Sequence, residues 1–288
     1  MKLSVCVITF NHELFISESL ESILRQETSF PFEVVIGEDG SSDLTRKICE
    51  NYQIRYPDKI RLLPAEGNKG MMRNFIDTYF ACKGEFVAFI EGDDYWIDPL
   101  KLEKQVNFLS THPEYSICFH NVMTKFMRTN ENAERVYHQD LGRDTFTTVN
   151  LIQQWFIPSA SVMFRRYPDF QLPDWFVYCK SGDIPFLLLL SLRGPIKYIN
   201  EVMSVYRVHD KGISTTHNGY NKIVAMIYIY ECFNIHTQFK FAEFIKSAEK
   251  YEIDRHYPKP VEKKVDPKSS PGILSKLMKK LSVAVQTQ

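Results

Sequence analysis

The sequence EFVAFIEGDD at residues 85–94 joins an apolar run to three acidic side chains within four residues. The apolar part predicts a buried β-strand, and the acids follow at the point where that strand ends. Carboxylates this close together repel one another unless a cation or hydrogen-bond donors offset their charge. Hard divalent cations such as Mg²⁺ use one or two carboxylates together with substrate phosphates. A site for a cation and a diphosphate therefore explains this cluster better than a solvated turn.

The residues before this stretch alternate between strand and helix patterns. The strand patterns cover 3–9, 33–36, 59–63 and 85–90, and the helical patterns between them cover 13–26, 42–56 and 71–82. Ser42 is predicted to cap the second of these helices. Such alternation predicts βαβ units and a parallel sheet. In a sheet of this kind, ligands bind beyond the carboxyl ends of the strands.

The second half of the chain has a less regular pattern. It predicts a helix at 99–109, shorter strands over 115–165, an apolar helix at 181–192, a hairpin at 196–208 and two helices within 219–256. We therefore expect one α/β domain whose second half covers the sheet.

Composition limits the possible classes of protein. The 288 residues include 35 basic and 35 acidic side chains and are 44% hydrophobic. This hydrophobic fraction is enough for a sizeable core and excludes disorder for most of the chain. The equal numbers of acidic and basic residues argue against a protein whose whole surface binds nucleic acid. No apolar run approaches the roughly 18 residues of a membrane span, and the first residues lack the pattern of a signal peptide. The six cysteines show no C-x-x-C spacing, so we expect reduced thiols in a cytoplasmic protein.

Basic residues concentrate near the C-terminal end, where 246–288 hold ten Lys or Arg against five Asp or Glu. A Pro- and Lys-rich stretch at 257–271 predicts a linker. The segment after it has lysines on one side and apolar residues at helical spacing on the other: Ile273, Leu274, Leu277, Met278 and Leu281. This pattern is typical of a basic interfacial helix at a membrane. A short helix docked on its own protein or on a partner is equally compatible with it.

Two further polar clusters accompany predicted strands and helices. Glu38-Asp39-Gly40-Ser41-Ser42-Asp43 follows the second strand, either as an Asp-Gly turn with a helix cap or as ligand-binding acids. Asn68, Arg73 and Asn74 lie at the start of a predicted helix, either as a Gly-Asn turn that begins the helix or at a place that suits anions and polar ligand groups. The first βα turn, Thr9-Phe-Asn-His-Glu13, contains no glycine, which excludes the dinucleotide-binding fingerprint. The sequence contains neither a P-loop nor a G-x-S-x-G elbow.

Six short motifs, in this order along the chain, resemble family 2 glycosyltransferases of the GT-A fold. They are ITFNHE (8–13), GEDGSSD (37–43), GNKGMMRN (67–74), EGDDYW (91–96), GD (182–183) and YRVHDKGIS (206–214). Three motifs depart from the family pattern, because Glu38 and Glu91 replace the first aspartates and Gly182 replaces the glutamate before Asp183. The resemblance implies a Rossmann-like, mainly parallel sheet flanked by helices in a GT-A domain over 1–215. Helices over 216–256 would pack on it as a C-terminal extension, and 257–288 would form the linker and basic amphipathic tail.

The resemblance also implies an activity. The expected reaction is the metal-dependent, inverting transfer of a hexosyl group from a nucleotide sugar, most often a UDP-sugar, to a saccharide or lipid-linked saccharide. We expect this in cell-surface polysaccharide or lipopolysaccharide biosynthesis, in the cytoplasm or peripherally on the inner face of the membrane, without a nucleic-acid partner. The two alternative hypotheses for the function are a catalytically inactive GT-A scaffold and a sugar nucleotidyltransferase. The latter class has a glycine-rich, Arg- and Lys-bearing loop after strand one, which this chain lacks.

The implied roles extend to individual residues. Asp183 would be the catalytic base, although an acid in the first turn of a helix is also favoured by the helix dipole. A loop containing Gly212 would close over the donor. Trp96 and Trp155 could either stack on the acceptor or pack in the core, and His12, His112, His120 and His138 are expected to be structural or exposed. The remaining assignments are Thr9, Phe10, Asn11, Glu38, Asp39, Asn68, Arg73 and Asp93 for the donor; Glu91, Asp93, Asp94 and His209 for Mn²⁺ or Mg²⁺; and Trp96, Trp155 and Arg207 for the acceptor or loop.

Overall fold

A computed structural model describes residues 1–65, 67–129, 131–212 and 219–256. The strands in this part are β1 (Leu3–Thr9), β2 (Phe32–Glu38), β3 (Ile60–Leu62), β4 (Phe86–Glu91), β5 (Tyr95–Trp96), β6 (Ile117–Arg128), β7 (Glu131–Val136), β8 (Thr145–Phe146), β9 (Met163–Arg165) and β10 (Ile196–His209). The α-helices are α1 (Ile16–Leu24), α2 (Thr45–Arg55), α3 (Met71–Ala81), α4 (Lys101–Thr111), α5 (Thr148–Gln153), α6 (Asp183–Ser191), α7 (Gly219–His236) and α8 (Ala242–His256). Residues 1–256 form one compact unit. The predicted domain boundary after residue 215 stays a prediction, and the linker and tail over 257–288 lie outside the described residues.

The described strands form one mixed sheet in the order β3-β2-β1-β4-β9-β6-β10-β5, with β7 beside β6 and β8 beside β10. The first half is parallel throughout, since β1 pairs in parallel with both β2 and β4, and β2 with β3. This confirms the parallel sheet predicted from the strand–helix alternation. In the second half, β9 runs antiparallel to β4 and β6, so the sheet is mixed there.

Helices cover both faces of the sheet, as the strand sequences require. Along β1, Leu3, Val5 and Val7 join the core cluster beneath α1, α2 and α4, whereas Cys6 and Ile8 join the cluster beneath α3, α6 and α7. Successive side chains of a strand point to opposite faces, so a strand that is apolar at every position is buried on both sides. The result is a three-layer α/β arrangement that leaves the carboxyl ends of the strands open.

Three local predictions were wrong. The predicted hairpin at 196–208 is a single strand, β10, which runs parallel to β6 with register shifts between Ile199 and Ser204. Asn200 and Glu201 bulge out of the pairing with β6 at the first shift. This polar pair resembles a turn in the sequence. Helix α5 was not predicted, although Thr147 and Asn150 form a capping box at its start. Ser42 does not cap α2, which begins at Thr45 after Leu44.

The described helices include none that is both long and apolar enough to cross a bilayer.

Candidate active site

The acidic loop after β4 lies at the open edge of the sheet, beside the end of β1. Gly92 N donates to the Ile8 carbonyl at 2.9 Å, and Asp94 N donates to the Glu91 carbonyl at 3.1 Å, which closes a tight turn. A side chain at Gly92 would overlap Thr9, since a Cβ built there lies 2.5 Å from Thr9 Oγ1. The loop therefore packs closely against β1 and places one carboxylate oxygen each of Glu91, Asp93 and Asp94 within 4.8 Å of one another.

The environments of the three acids differ. Burial, followed by the charges of Asp93 and Asp183, raises the pKa of Glu91 to about 8. Burial and the two neighbouring acids raise the pKa of Asp94 well above its usual value, against the opposing effect of Arg207. Burial would also raise the pKa of Asp93, but the hydrogen bond with His209 and the charges of His12 and His209 bring it below its usual value.

The acidic loop has the chemistry of a divalent-cation site. Asp93 Oδ1 and Asp94 Oδ2 are buried and accept no hydrogen bond among the described residues. Unpaired buried carboxylate oxygens are costly, and oxygen donors of this kind suit Mg²⁺ or Mn²⁺. The residues present therefore fit a cation shared with a bound diphosphate.

Two histidines flank Asp93, and only His209 was assigned a role from the sequence. His209 Nε2 lies 3.0 Å from Asp93 Oδ2. His12 Nε2 lies 3.7 Å from the same oxygen, and its Nδ1 lies 3.2 Å from Thr9 Oγ1. Burial lowers the pKa of His12. His12 was expected to be structural or exposed, but it follows β1, and the pairing of β1 with β4 brings it to Asp93. Its position in the ITFNHE motif is the one sequence signal that could have identified it.

Arg207 on β10 is buried beside the acidic loop and links it to two other elements, α1 and β5. Its backbone N–H donates to Asp94 Oδ1 at 2.7 Å, and its Nη1 donates to the Asp93 carbonyl at 2.5 Å. Its Nη2 donates to the carboxylate of Glu18 on α1. The guanidinium also lies 4.2 Å from the ring centroid of Tyr95 and 5.2 Å from that of Phe15. Arg207 thus helps to fix the position of the acids, and the acceptor or loop contact suggested for it by the sequence stays a prediction.

We expect Arg207→Lys to lower the free energy of unfolding by about 1–3 kcal/mol, because a lysine cannot reproduce the forked and stacked contacts. Displacing the acidic loop should also weaken Mn²⁺-dependent UDP binding by about 10-fold, as loss of outer-shell partners does at metal sites. Urea unfolding and calorimetric titration measure the two effects. Arg135→Lys is the control, because Arg135 forms an exposed pair with Glu131 that should be worth less than about 1 kcal/mol. Equal behaviour of the two variants would contradict the role given to Arg207.

A cleft of about 310 Å³ opens in front of the acidic loop. Five of the residues predicted to bind the donor line it, namely Thr9, Phe10, Asp39, Asn68 and Asp93, together with Glu91, His12, Tyr206, Arg207, Lys211 and Gly212. Phe10 is 42% exposed. Arg73 is exposed on the first turn of α3 and is not among the residues that line this cleft. The cleft thus brings together most of the predicted donor residues, and residues 213–214 of the predicted closing loop lie outside the described residues.

The loops after β1 and β2 shape one side of this cleft through their hydrogen bonds. Asn11 has a positive φ of 55° and accepts a hydrogen bond from Ser42 N at Oδ1. Glu38 Oε1 accepts one from Ser41 N at 2.6 Å, and its side chain has no exposed surface. Asp39 Oδ1 accepts one from Lys69 N at 2.7 Å, and burial raises the pKa of Asp39. Asp39 therefore lines the cleft, whereas Glu38 holds the loop.

We expect Gly37→Ala to destabilise the protein by about 1–3 kcal/mol, as overpacking of a core does. A Cβ at this position, at the end of β2, would lie 1.8 Å from Thr78 Oγ1 and 2.6 Å from Asn74 Oδ1. Both side chains are buried and cannot move aside freely. Gly182→Ala is the control, since its nearest neighbour would be Phe75 at 3.6 Å. Thermal melting of both variants measures the effect, and a wild-type melting temperature for Gly37→Ala would contradict the expectation.

A second cleft of about 320 Å³ adjoins the first, and Ile8, Met71, Glu91 and Tyr206 line both. Asp183 and Trp155 line the second cleft. Burial raises the pKa of Asp183, and hydrogen bonds from Ser181 and the backbone oppose that rise. Gly182 occupies the cap position of α6, and Ser181 Oγ donates to Asp183 Oδ1.

Trp96 lines neither cleft. It is 4% exposed, its Nε1 donates to the Ala160 carbonyl at 3.0 Å, and Lys101 Nζ lies 3.8 Å from its ring centroid. A buried indole cannot stack on a sugar. Trp96 therefore has a packing role, which corrects the acceptor contact suggested for it, whereas Trp155 is half-buried at the second cleft.

The fold, a central sheet flanked by helices, is that of GT-A glycosyltransferases. The chain belongs to glycosyl transferase family 2, whose sequence profile matches residues 4–169. An uncharacterized protein of Mycobacterium bovis is 36% identical over 221 residues, which cover 73% of this chain and 60% of that protein. The chain thus covers less than two thirds of the length of this relative.

Two solved structures share the fold. Staphylococcus aureus TarS (residues 1–349), crystallised in complex with UDP-GlcNAc, has a TM-score of 0.65 and 22% identity, with 89% of this chain and 73% of that chain covered. The mannosyltransferase PcManGT of Pyrobaculum calidifontis, in complex with GDP-Man and Mn²⁺, has a TM-score of 0.59 and 13% identity, with 100% and 81% covered. The GT-A fold expected from the sequence motifs is confirmed.

Proposed function

We propose that the protein transfers a hexosyl group from a nucleotide-sugar donor, a UDP-sugar, to a saccharide or lipid-linked saccharide with inversion at the anomeric carbon. The observation that carries this proposal is the junction of the two clefts at Glu91. The donor cleft, lined by Asp39 and Asp93, would hold the nucleotide diphosphate. The cleft lined by Asp183 would hold the acceptor, so that the acceptor meets the donor sugar near Glu91.

In this mechanism Asp183 removes the proton from the acceptor hydroxyl, and the hydroxyl oxygen attacks the anomeric carbon of the donor. The bond from this carbon to the diphosphate breaks, so an α-linked donor yields a β-linked product. The raised pKa of Asp183 makes it a better base at neutral pH. Glu91, Asp93, Asp94 and His209 would hold a divalent cation, which as a Lewis acid offsets the negative charge on the departing diphosphate.

The relatives support parts of this proposal. TarS was crystallised with UDP-GlcNAc, and PcManGT forms a complex with GDP-Man and Mn²⁺. Membership of a glycosyltransferase family disfavours the nucleotidyltransferase alternative. A catalytically inactive GT-A scaffold is the alternative function that the experiment must distinguish from a transferase.

A donor screen tests the proposal. The protein should melt at a higher temperature with UDP and Mn²⁺ than without them, since a ligand at 100 times its Kd adds about 2.7 kcal/mol of stability. Nucleotide release is then scored against a panel of UDP- and GDP-sugars with mixed saccharide acceptors. Stabilisation without turnover of any donor would indicate the scaffold, and absence of both would reject the function.

We also propose that the protein acts on the inner face of the cell membrane, on acceptors for surface polysaccharide or lipopolysaccharide, with its basic tail in contact with lipid. Support comes from the spacing of lysines and apolar residues within 273–281. Deletion of residues 268–288 should reduce co-sedimentation with vesicles that contain anionic lipid by about 10-fold, because a tail lysine near such a surface contributes about 1 kcal/mol. Neutral vesicles are the control. Equal sedimentation of the full and shortened chains would reject membrane contact by the tail.

A further inference from the structure

The acceptor cleft contains two lysines, Lys180 and Lys222. Lys180 lies just before α6, and Lys222 lies in the first turn of α7, so they reach the cleft from different elements. Both are exposed. Across the part of the chain that the structure describes, neither takes part in an ion pair, whereas Lys69 and Lys104 pair with nearby carboxylates. The cleft thus has two cationic side chains that form no ion pair with the described residues.

The rest of the cleft would suit a sugar without this charge. Tyr137, Trp155 and Tyr206 supply aromatic faces, and Ser159 and Ser181 supply hydroxyl groups. The side of α7 that faces the cleft is apolar, with Ala225, Met226 and Ile229. A neutral acceptor could bind to these groups alone and would leave two ammonium groups facing one cleft. An anion bound to them adds electrostatic complementarity, which selects among partners.

An acceptor that carries an anionic group needs the two lysines because Asp183 lines the same cleft. An anionic acceptor would be repelled by this carboxylate in the same cleft, because like charges at close range oppose binding. Lys180 and Lys222 line the same cleft and supply charge of the opposite sign, which offsets that repulsion. They allow the acceptor hydroxyl to approach the base while the charged group stays at the lysines.

We propose that the acceptor carries an anionic group, a phosphate or a carboxylate, which binds to Lys180 and Lys222 while the attacking hydroxyl faces Asp183. This proposal rests on the proposed function and specifies the chemical class of its acceptor. The donor cleft has no part in it.

The proposal is tested by calorimetric titration of the protein, saturated with UDP and Mn²⁺, with three probes at constant ionic strength. The probes are glucose 6-phosphate, glucuronate and the neutral methyl glucoside. At least one anionic probe should bind about 10-fold more tightly than the neutral one, as expected for two partly exposed ion pairs. The comparison of glucose 6-phosphate with glucuronate distinguishes phosphate from carboxylate. The preference should weaken as salt is raised, because salt screens such pairs.

The double variant Lys180→Met, Lys222→Met should lose this preference and bind the anionic probe about 10-fold more weakly. The control is Lys47→Met, Lys250→Met, which removes the same charge from exposed positions on α2 and α8 and should keep the preference. Equal binding of charged and neutral probes to the wild type, or an unchanged preference in the double variant, would overturn the proposal. UDP binding by the wild type is scored separately, so its absence rejects the proposed function, whereas its presence without anion preference rejects only the anionic acceptor.

Discussion

Asp183→Asn should reduce sugar transfer by about 10²–10⁴, the usual contribution of general-base catalysis, while the protein still folds and binds UDP. The amide keeps the size of the carboxylate, and its oxygen can still accept the hydrogen bond from Ser181 that the wild type makes. The donor cleft does not include Asp183. A loss confined to transfer therefore isolates the base. Initial rates of UDP release with acceptor, together with UDP titration, measure the two properties.

Asp174→Asn is the matched control, because Asp174 is an exposed acid in a short 3-10 helix outside both clefts. It should transfer sugar at the wild-type rate. Determination of the anomeric configuration of the wild-type product adds a second check. Near-normal transfer by Asp183→Asn, or a product with retained configuration, would reject direct displacement with Asp183 as the base.

Asp93→Asn should remove most of the metal dependence of UDP binding and lower transfer by about 10²–10³, because a divalent cation contributes several kcal/mol to transition-state stabilisation. Asp93 is the acid of the cluster whose pKa is lowered, and it accepts from His209 through Oδ2 while Oδ1 has no partner among the described residues. An amide at this position loses the negative charge and one of the two acceptor oxygens. UDP titrations with and without Mn²⁺ measure the change.

Glu85→Gln is the control for this variant. Glu85 lies beside the other end of β4 and pairs with Lys2 at the surface, so its loss should leave metal-dependent binding intact. If UDP binding by Asp93→Asn depends on Mn²⁺ as it does in the wild type, Asp93 is not a ligand of the cation.

The sequence alone predicted most of the first half of the fold. Strands β1, β2 and β4 were placed within one residue of their starts and two of their ends, because a strand buried on both faces is apolar at nearly every position. The acids after β4 were recognised for the same reason, since a charged cluster directly after such a strand can lie only at the edge of the sheet. Motif order then identified the family. Each of these signals lies within a few residues of chain.

The packing of distant segments decided the rest. The sequence left the same two roles open for Trp96 and Trp155, yet one is buried against Ala160 and Lys101 while the other lines a cleft. The long strand β10 was predicted as a hairpin, because its polar bulge at Asn200-Glu201 resembles a turn until the pairing with β6 is known.

By itself, the sequence determined that this is an α/β protein of glycosyl transferase family 2 with acids at the end of β4, since apolar periodicity and motif spacing are local properties. Only the tertiary structure decided that His12 reaches Asp93, that Arg207 holds the acidic loop, and that Lys180 and Lys222 share a cleft. The physical reason is sequence separation. Arg207 and Glu18 are 189 positions apart, and no local pattern encodes a contact that forms only when β10 joins the sheet beside β6.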